Sequence, residues 1–544
     1  MSRPDRPSRA WRLSPAAWSQ IAALAGGLIV VLFLATQSLA PFFATRPRSG
    51  SSETEFKAQL DRAAPRILHD LAVPGVVVAT IVGGSPSHTY AYGYANLQTH
   101  RPMTSDTVFR VASISKSLTA WGVMRLAETG KVDFDRPVEQ YIGGWPLPPS
   151  PFASNGVTVR RLLSHTSGVS AGADEFRRPE APAPSAREFL RQASGGDAAG
   201  PPQLVAPPGQ AFVYSVPGYM LLQMMIERQS HRSFQDYMRQ AVLAPLGMTS
   251  SSFDWDPALR GRTATPYLSD GKPGEVLIPE DTAADSLFAT APDLARFVAA
   301  PSPYERQRAG PGALRPDSAN RLYSSPPAIP QFQLAGLGQD QPALGCFTER
   351  TPNGPLVVTN GGYDPGWSSQ FFFVPHTGDG IVILTNSDRG ETAIAQIAAI
   401  WSAWRGLPPM KMTRAYRVLG VDAAVVLGLL AMISISFAAD LITEVRSGVR
   451  RFGDFHAGAI GVSVVEGVIA LGVMVAWMAL RAFVASLPAF EGMGSLVVGL
   501  LAVTVVARML FPSRKKAPAR RSLDLAALFA RLSPAKRKAE PASA

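Results

Sequence analysis

The chain of 544 residues contains a single cysteine, Cys346, which excludes an internal disulfide and says nothing of redox compartment. A lone thiol in an apolar-rich chain is expected as a small buried residue. Charge is also scarce, with 17% of residues charged against 46% apolar, lean for a soluble protein. No His, Cys or acidic residues cluster at metal-ligand spacing, and no glycine-rich phosphate loop follows a strand pattern. Neither a metal nor a cofactor is therefore expected. No fixed-period repeat is present. Glycine and proline, 47 of each, point to a loop-rich globular part rather than a coiled coil.

The middle of the chain lacks net charge. Residues 1–20 hold four arginines and one aspartate, residues 512–544 hold nine Lys/Arg and two acids, and together they supply ten of the eleven net positive charges. Basic ends beside apolar runs suggest a membrane surface as partner and argue against nucleic acid.

What is present is a set of four long apolar runs. The first, within residues 21–44, reads as a transmembrane anchor or a signal peptide; Pro41 after the candidate cleavage site favours the anchor. The others, 418–439, 457–480 and 493–511, each match the length that crosses ~30 Å of hydrocarbon. Four spans put the basic N-terminus (1–20), the Arg446/Arg450/Arg451 loop and the basic tail (512–544) on the cytoplasmic side. Residues ~45–415 then lie outside, despite the countersignal of Arg405, Lys411, Arg414 and Arg417. Glu466, inside the third run, is a costly carboxylate whose default reading is functional or interhelical. An amphipathic Ser522–Leu532 segment in the tail suits an inner-leaflet helix or a disordered basic tail.

Between the first two runs, residues 52–405 read as one soluble domain. Strand-like runs Gly75–Val82, Gln370–Val374 and Gly380–Thr385 sit at its two ends, with helical patterns at Ser117–Thr129 and Gly218–Gln229 between them. That arrangement predicts one sheet assembled from distant parts of the chain, with a helical insertion. Thr290 to Asp293 has the form of a helix start. The proline- and alanine-rich stretch 171–209 has too few large apolar residues for a core and is expected as a mobile loop.

The most informative stretch is TVFRVASISKSLTAWGVMRLAETGKVDF, Thr107 to Phe134. It puts Ser113 at a helix start and Lys116 one turn later, on the same face. A serine hydroxyl needs a base beside it, and a lysine serves if burial or a cationic neighbour favours its neutral form. The helix N-terminus adds partial positive charge where an alkoxide develops. S-x-x-K alone proves little, since it recurs at Ser269, Ser513 and Ser533 in glycine-rich or basic settings.

The setting of Ser113 resembles the serine beta-lactamase family, which contains class C beta-lactamases, low-molecular-weight penicillin-binding proteins and related esterases. The likeness runs through VPGVVVATIV (73–82), GYANLQTHRPMTSDTVFRVASISKSLTA (93–120), LLSHTSGV (162–169), PPGQAFVYSVPGYMLLQMMIE (207–227), TNGGYDPGWSS (359–369) and IVILTNS (381–387). It implies an α/β fold: an antiparallel sheet flanked by helices plus a mostly helical lobe, joined here to four transmembrane helices. By the same resemblance Ser113 is the nucleophile and Lys116 helps deprotonate it. Tyr214, its phenol lowered in pKa by the lysine, returns the proton to the leaving group. Gly362 belongs to the third element on the strand edging the site, and backbone N–H groups of Ser113 and Tyr363 form the oxyanion hole. His165 is expected to fix a loop.

Two departures matter. The asparagine of the family's Tyr-x-Asn element is Val216, and the lysine or histidine of its third element is Asn360, a candidate substrate contact or turn residue. Without that cation, capture of a substrate carboxylate is weakened. The expectation is a serine hydrolase acting on an ester or amide of the cell envelope or a small acyl compound. It would be anchored in a bacterial inner membrane with its catalytic domain facing the periplasm. The alternative is a catalytically weak or inactive binding protein.

Overall fold

A computed structural model describes residues 15–43, 47, 49–172, 175–192, 202–302, 314–324, 341–350, 354–453 and 488–512, with short pieces between 467 and 478. Eight strands form one antiparallel sheet: β1 (Gly75–Val82), β2 (Ser85–Asn96), β3 (Arg101–Pro102), β4 (Gln341–Pro342), β5 (Phe347–Arg350), β6 (Leu356–Asp364), β7 (Trp367–Val374) and β8 (Asp379–Thr385). Their spatial order is β3-β2-β1-β8-β7-β6-β5-β4. The central pairing of β1 with β8, Val76 opposite Thr385, joins the two ends of the domain, as the separated strand-like runs predicted.

The central strands read as unbroken apolar runs because helices cover both faces. In β7, Phe371 packs edge-on against Phe297 of the helix Ala291–Ala299, centroids 6.3 Å apart. Its neighbour Phe372 points the other way, onto Trp401 of the helix Gly390–Trp404, also at 6.3 Å. That alternation is the two-residue period of a strand. The helix Glu53–Leu71 joins the second layer, with Phe56 stacked on Trp404 at 4.4 Å. A capping box, Ser52 with Glu55, satisfies its first amides.

The helix Ile114–Glu128 lies on the first face, where Trp121 meets Phe297 at 5.7 Å. The lobe beyond it is mostly helical and includes Val216–Ser230, whose buried run from Val216 to Ile226 leaves it almost no solvent face. Thr290 caps its helix through Asp293, as its sequence form suggested. The stretch 171–209 departs from expectation. It contains a short strand, Phe176–Arg177, paired with Ile278–Pro279, and a helix, Ala186–Gln192. That helix buries Ala186, Phe189 and Leu190, so three small or apolar residues clustered in one turn suffice to dock it. Residues 173–174 and 193–201 lie outside the described residues.

Contacts divide the chain into two units, residues 33–424 with 482–491, and residues 1–32, 425–481 and 492–544. The described residues bear out part of the expectation of four spans. Among the described residues two helices, Lys411–Arg446 and Gly492–Leu510, are long and apolar enough to cross a membrane. The first apolar run lies within the 29-residue helix Pro15–Phe43. Most of 457–480, including Glu466, and the tail from 513 lie outside the described residues. The helices pack through small residues: a Cβ on Gly27 would fall 2.8 Å from the carbonyl of Gly428. Arg450 is buried, paired with Glu444 and donating to the carbonyls of Arg508 (3.2 Å) and Phe511 (3.0 Å).

Candidate active site

Ser113 stands at the N-cap of Ile114–Glu128, immediately after Ala112, whose φ of +46° is a left-handed conformation costly for a residue with a Cβ. The bend lifts the serine out of the preceding strand segment. Phe109 and Arg110 pair with Ala289 and Phe288, and the Val111 amide donates to Leu287 O at 3.0 Å. This pairing brings the chain around residue 285 against the start of the serine helix.

Three groups converge on Ser113 Oγ. Lys116 Nζ donates to it at 3.0 Å and the Tyr214 hydroxyl at 2.8 Å, while the Ser113 hydroxyl donates to Asp285 Oδ1 at 2.7 Å. Lys116, Tyr214 and Ser113 are thus brought together. Asp285, 172 residues from the serine, was not foreseen. A signal for it exists in the sequence: an acid inside the apolar run Ala283–Ala289 has to be buried with a partner.

Asp285 changes the electrostatics. Its second oxygen accepts from Lys116 Nζ at 2.9 Å, and both side chains are almost completely buried. Burial pushes the Lys116 ammonium toward its neutral form, but Asp285, with Tyr214 and Asp281, outweighs it and holds the lysine above its ordinary range. The neutral lysine anticipated from the sequence is therefore replaced by an ion pair. Burial likewise raises the Asp285 carboxyl. Lys116 and hydrogen bonds from Asp281, Lys116 and Ser113 overcome this and hold it below the usual carboxylate range. A second buried pair, Arg110 with Asp364 at 2.8 Å, adjoins this cluster.

Tyr214 is stacked on His165 at 4.3 Å, and Lys116 Nζ lies 4.9 Å from the tyrosine ring centroid. Burial raises the phenol and Lys116 only partly reverses this, so Tyr214 is a neutral donor rather than the lowered phenol expected. His165 accepts the Ser215 amide at Nδ1, 3.0 Å away, which fixes the Tyr214 loop. Burial, then Lys116, holds its imidazole well below the ordinary value, hence neutral. Val216 is packed in the core, where it has no polar atom to offer.

On the opposite wall, β6 runs past the serine. A Cβ on Gly362 would come within 2.8 Å of the Ser113 amide nitrogen and of Ser369 Oγ, so only glycine lets the strand approach this closely. Asn360 is turned inward, only 4% exposed. Its Nδ2 donates to Ser113 O at 3.0 Å and Ser117 Oγ at 2.9 Å, and its Oδ1 accepts from the Gly361 amide at 3.0 Å. It braces the turn that carries Ser113, with its amide committed to partners within the protein. Tyr363 is half exposed at the rim, and its hydroxyl hydrogen-bonds Asp388.

A buried serine–lysine pair at a helix start, beside a glycine-edged strand of an antiparallel sheet, defines a class of acyl-transferring serine enzymes. The Beta-lactamase family model matches residues 60–403, well over half the chain. The chain belongs to that family of serine hydrolases. It is similar to penicillin-binding protein 4* of Bacillus subtilis (strain 168), 29% identical over 183 residues that cover 32% of this chain and 37% of that one. It is also similar to esterase EstB of Burkholderia gladioli, 28% identical over 312 residues, covering 54% and 76%. The first curated relatives are matched over 25% to 66% of their own length. Among solved structures, the octameric penicillin-binding protein homologue from Pyrococcus abyssi shares the fold, with a TM-score of 0.53 at 24% identity over 65% of this chain and 78% of that one.

Proposed function

We propose that this chain is a membrane-anchored, extracytoplasmic serine hydrolase that cleaves an ester or amide through an acyl-Ser113 intermediate. The observation that carries the reading is the convergence of Lys116 Nζ and the Tyr214 hydroxyl on Ser113 Oγ, at 3.0 and 2.8 Å. In acylation the Oγ–H bond breaks as the Oγ–C bond forms, and the proton passes into the buried Lys116–Asp285 pair. Tyr214 lies on the route by which a proton reaches the leaving group. Backbone N–H groups of Ser113 and Tyr363 receive the oxyanion, each such donor contributing ~3–4 kcal/mol to the transition state.

The relatives' names bracket the substrate: one is a penicillin-binding protein and one an esterase. The inward Asn360 puts no cation at the place where the family holds a substrate carboxylate. That favours a neutral or amphiphilic acyl compound over a penicillin-like or D-alanyl-D-alanine acid. The two candidate membrane helices and the basic ends of the chain support anchoring. Four spans at 21–44, 418–439, 457–480 and 493–511 would hold the hydrolase domain on the periplasmic side of a bacterial inner membrane.

The test is covalent labelling of membranes containing the full chain. A fluorescent fluorophosphonate is expected to mark a band that disappears in Ser113→Ala, with fluorescent penicillin marking it poorly. No labelling of the wild type by either probe would favour a binding protein without turnover. Val216→Asn is expected to raise beta-lactam turnover, and an unchanged rate removes the missing amide as its limit.

A further inference from the structure

We infer that Asp285 is the catalytic residue that accepts the Ser113 proton, with Lys116 acting as a permanently charged donor. This rests on the acyl-Ser113 reading above and assigns the base within it. Of the three groups bonded to Ser113 Oγ, two give hydrogen bonds and one receives. Lys116 Nζ (3.0 Å) and the Tyr214 hydroxyl (2.8 Å) donate, while Asp285 Oδ1 (2.7 Å) accepts. An ammonium has three donors and no acceptor, so a charged Lys116 has no lone pair for the serine proton. Its donation to Oγ instead stabilises the alkoxide as it forms, through a charge-assisted bond from a buried ammonium.

The groups facing Asp285 make the assignment self-consistent. From the serine helix come Ser113 and Lys116, and from the segment leading into Val216–Ser230 comes Tyr214. The neutral His165 adds no charge of its own. Asp281, one turn earlier on Asp285's own segment, hydrogen-bonds its carboxyl, and the Arg110–Asp364 pair lies beyond. Against burial, which raises it, Lys116 holds the Asp285 carboxyl below the usual carboxylate range. The base is thus available throughout the neutral range without any lysine having to lose its charge.

Atoms balance through a full turnover. In acylation the Ser113 hydroxyl proton moves to Asp285 Oδ1, Oγ bonds the carbonyl carbon, and the carbonyl oxygen becomes the oxyanion. Collapse breaks the bond to the leaving group, which takes a proton from Tyr214; Lys116, hydrogen-bonded to both groups, gives Tyr214 one proton and takes the one held by Asp285, so the lysine ends charged. In deacylation water gives a proton to Tyr214 as its oxygen bonds the acyl carbon, the relay runs back through Lys116 to Asp285, and the Oγ–C bond breaks as Asp285 returns that proton to Ser113 Oγ. The geometry also accounts for Val216: with Lys116 already held by Asp285 at 2.9 Å, no asparagine is needed at 216 to orient it.

The experiment is the rate of fluorophosphonate labelling of the full chain in detergent, measured from pH 5.5 to 9. For the wild type the rate is expected to be flat, because an aspartate below its ordinary value of about 3.9 is ionised throughout. A climb of about tenfold per pH unit would mean that lysine deprotonation supplies the base, and would overturn the assignment. Asp285→Asn should lower the rate about 100-fold at pH 7 and make it rise with pH, as the unpaired lysine becomes the remaining base. Asp285→Glu should restore the flat profile within about tenfold of the wild-type rate. A rate in Asp285→Asn close to wild type, or one reduced with an unchanged flat profile, would mean a structural role and overturn the assignment. Should Asp285→Asn fail to fold, the wild-type profile decides alone. Absence of Ser113-dependent labelling sinks the acyl-enzyme reading and this assignment together, whereas the wrong pH profile sinks only the assignment.

Discussion

The two walls of the cleft are built on opposite electrostatic principles. Behind Ser113 the protein buries Lys116, Asp285, Asp281, Arg110 and Asp364, all under 5% exposed and interlocked. In front of it, the wall formed by Asn360 to Tyr363 carries no ionised side chain, and its one exposed group is a phenol. Buried charges are retained only when every partner is present, because desolvation costs several kcal/mol per ion. The contrast teaches that charge in this cleft is concentrated around the serine, while the open wall offers a substrate no cation. An enzyme selected for anionic substrates would show the reverse emphasis on its open wall.

The largest expected effect comes from breaking the charged wall. Lys116→Met leaves Asp285 buried without its counterion and is expected to destabilise the hydrolase unit by about 3–5 kcal/mol. Denaturant unfolding in detergent measures this, and a loss below about 1 kcal/mol would mean that the pair is not the tight buried one seen. Next comes the contact between the walls. Gly362→Ala places a Cβ 2.8 Å from the Ser113 amide nitrogen and should cut fluorophosphonate labelling about 100-fold with the fold retained. Labelling at the wild-type rate would show that β6 can retreat without disturbing the oxyanion site.

The third prediction concerns pH. The His165 imidazole is held well below its ordinary value, so its neutral form contributes stability above about pH 6.5. That contribution is lost as pH falls, at up to about 1.4 kcal/mol per pH unit. The thermal midpoint should therefore drop between pH 7 and pH 5, and His165→Gln, which keeps an acceptor for the Ser215 amide, should flatten the drop. An equal drop in both proteins would move the acid sensitivity elsewhere. The smallest effect is expected on the uncharged wall. Tyr363→Phe removes only the hydroxyl bonded to Asp388, worth about 0.5–1.5 kcal/mol. It should change labelling by less than about threefold, since the backbone N–H is what the oxyanion would meet.

Legibility followed sequence distance. The Ser113–Lys116 pair is readable because one helical turn fixes both side chains on a face. The strands of the central sheet show as apolar runs, and β1 and β8 meet as their separated positions suggested. Tyr214 and Gly362 were reached through resemblance, since nothing local ties either to residue 113. Asn360 was read as a substrate contact or turn residue, yet it braces the serine's own carbonyl. Its orientation depends on a strand-to-helix approach that no local pattern encodes. The stretch 171–209 misled by composition, where Phe189 and Leu190 on one short helix were enough to dock it.

The amino-acid order alone determined the helix start that presents Ser113, the strand content, the apolar runs and the basic ends, because each depends on periodicity, capping or composition within a few residues. Tertiary structure alone decided that the lysine is charged. Its ionisation depends on a carboxylate 169 residues away, carried to 2.9 Å by strand pairing and helix packing. A side chain's charge in a dry interior is set by what surrounds it in space, and that is known only once the chain has folded.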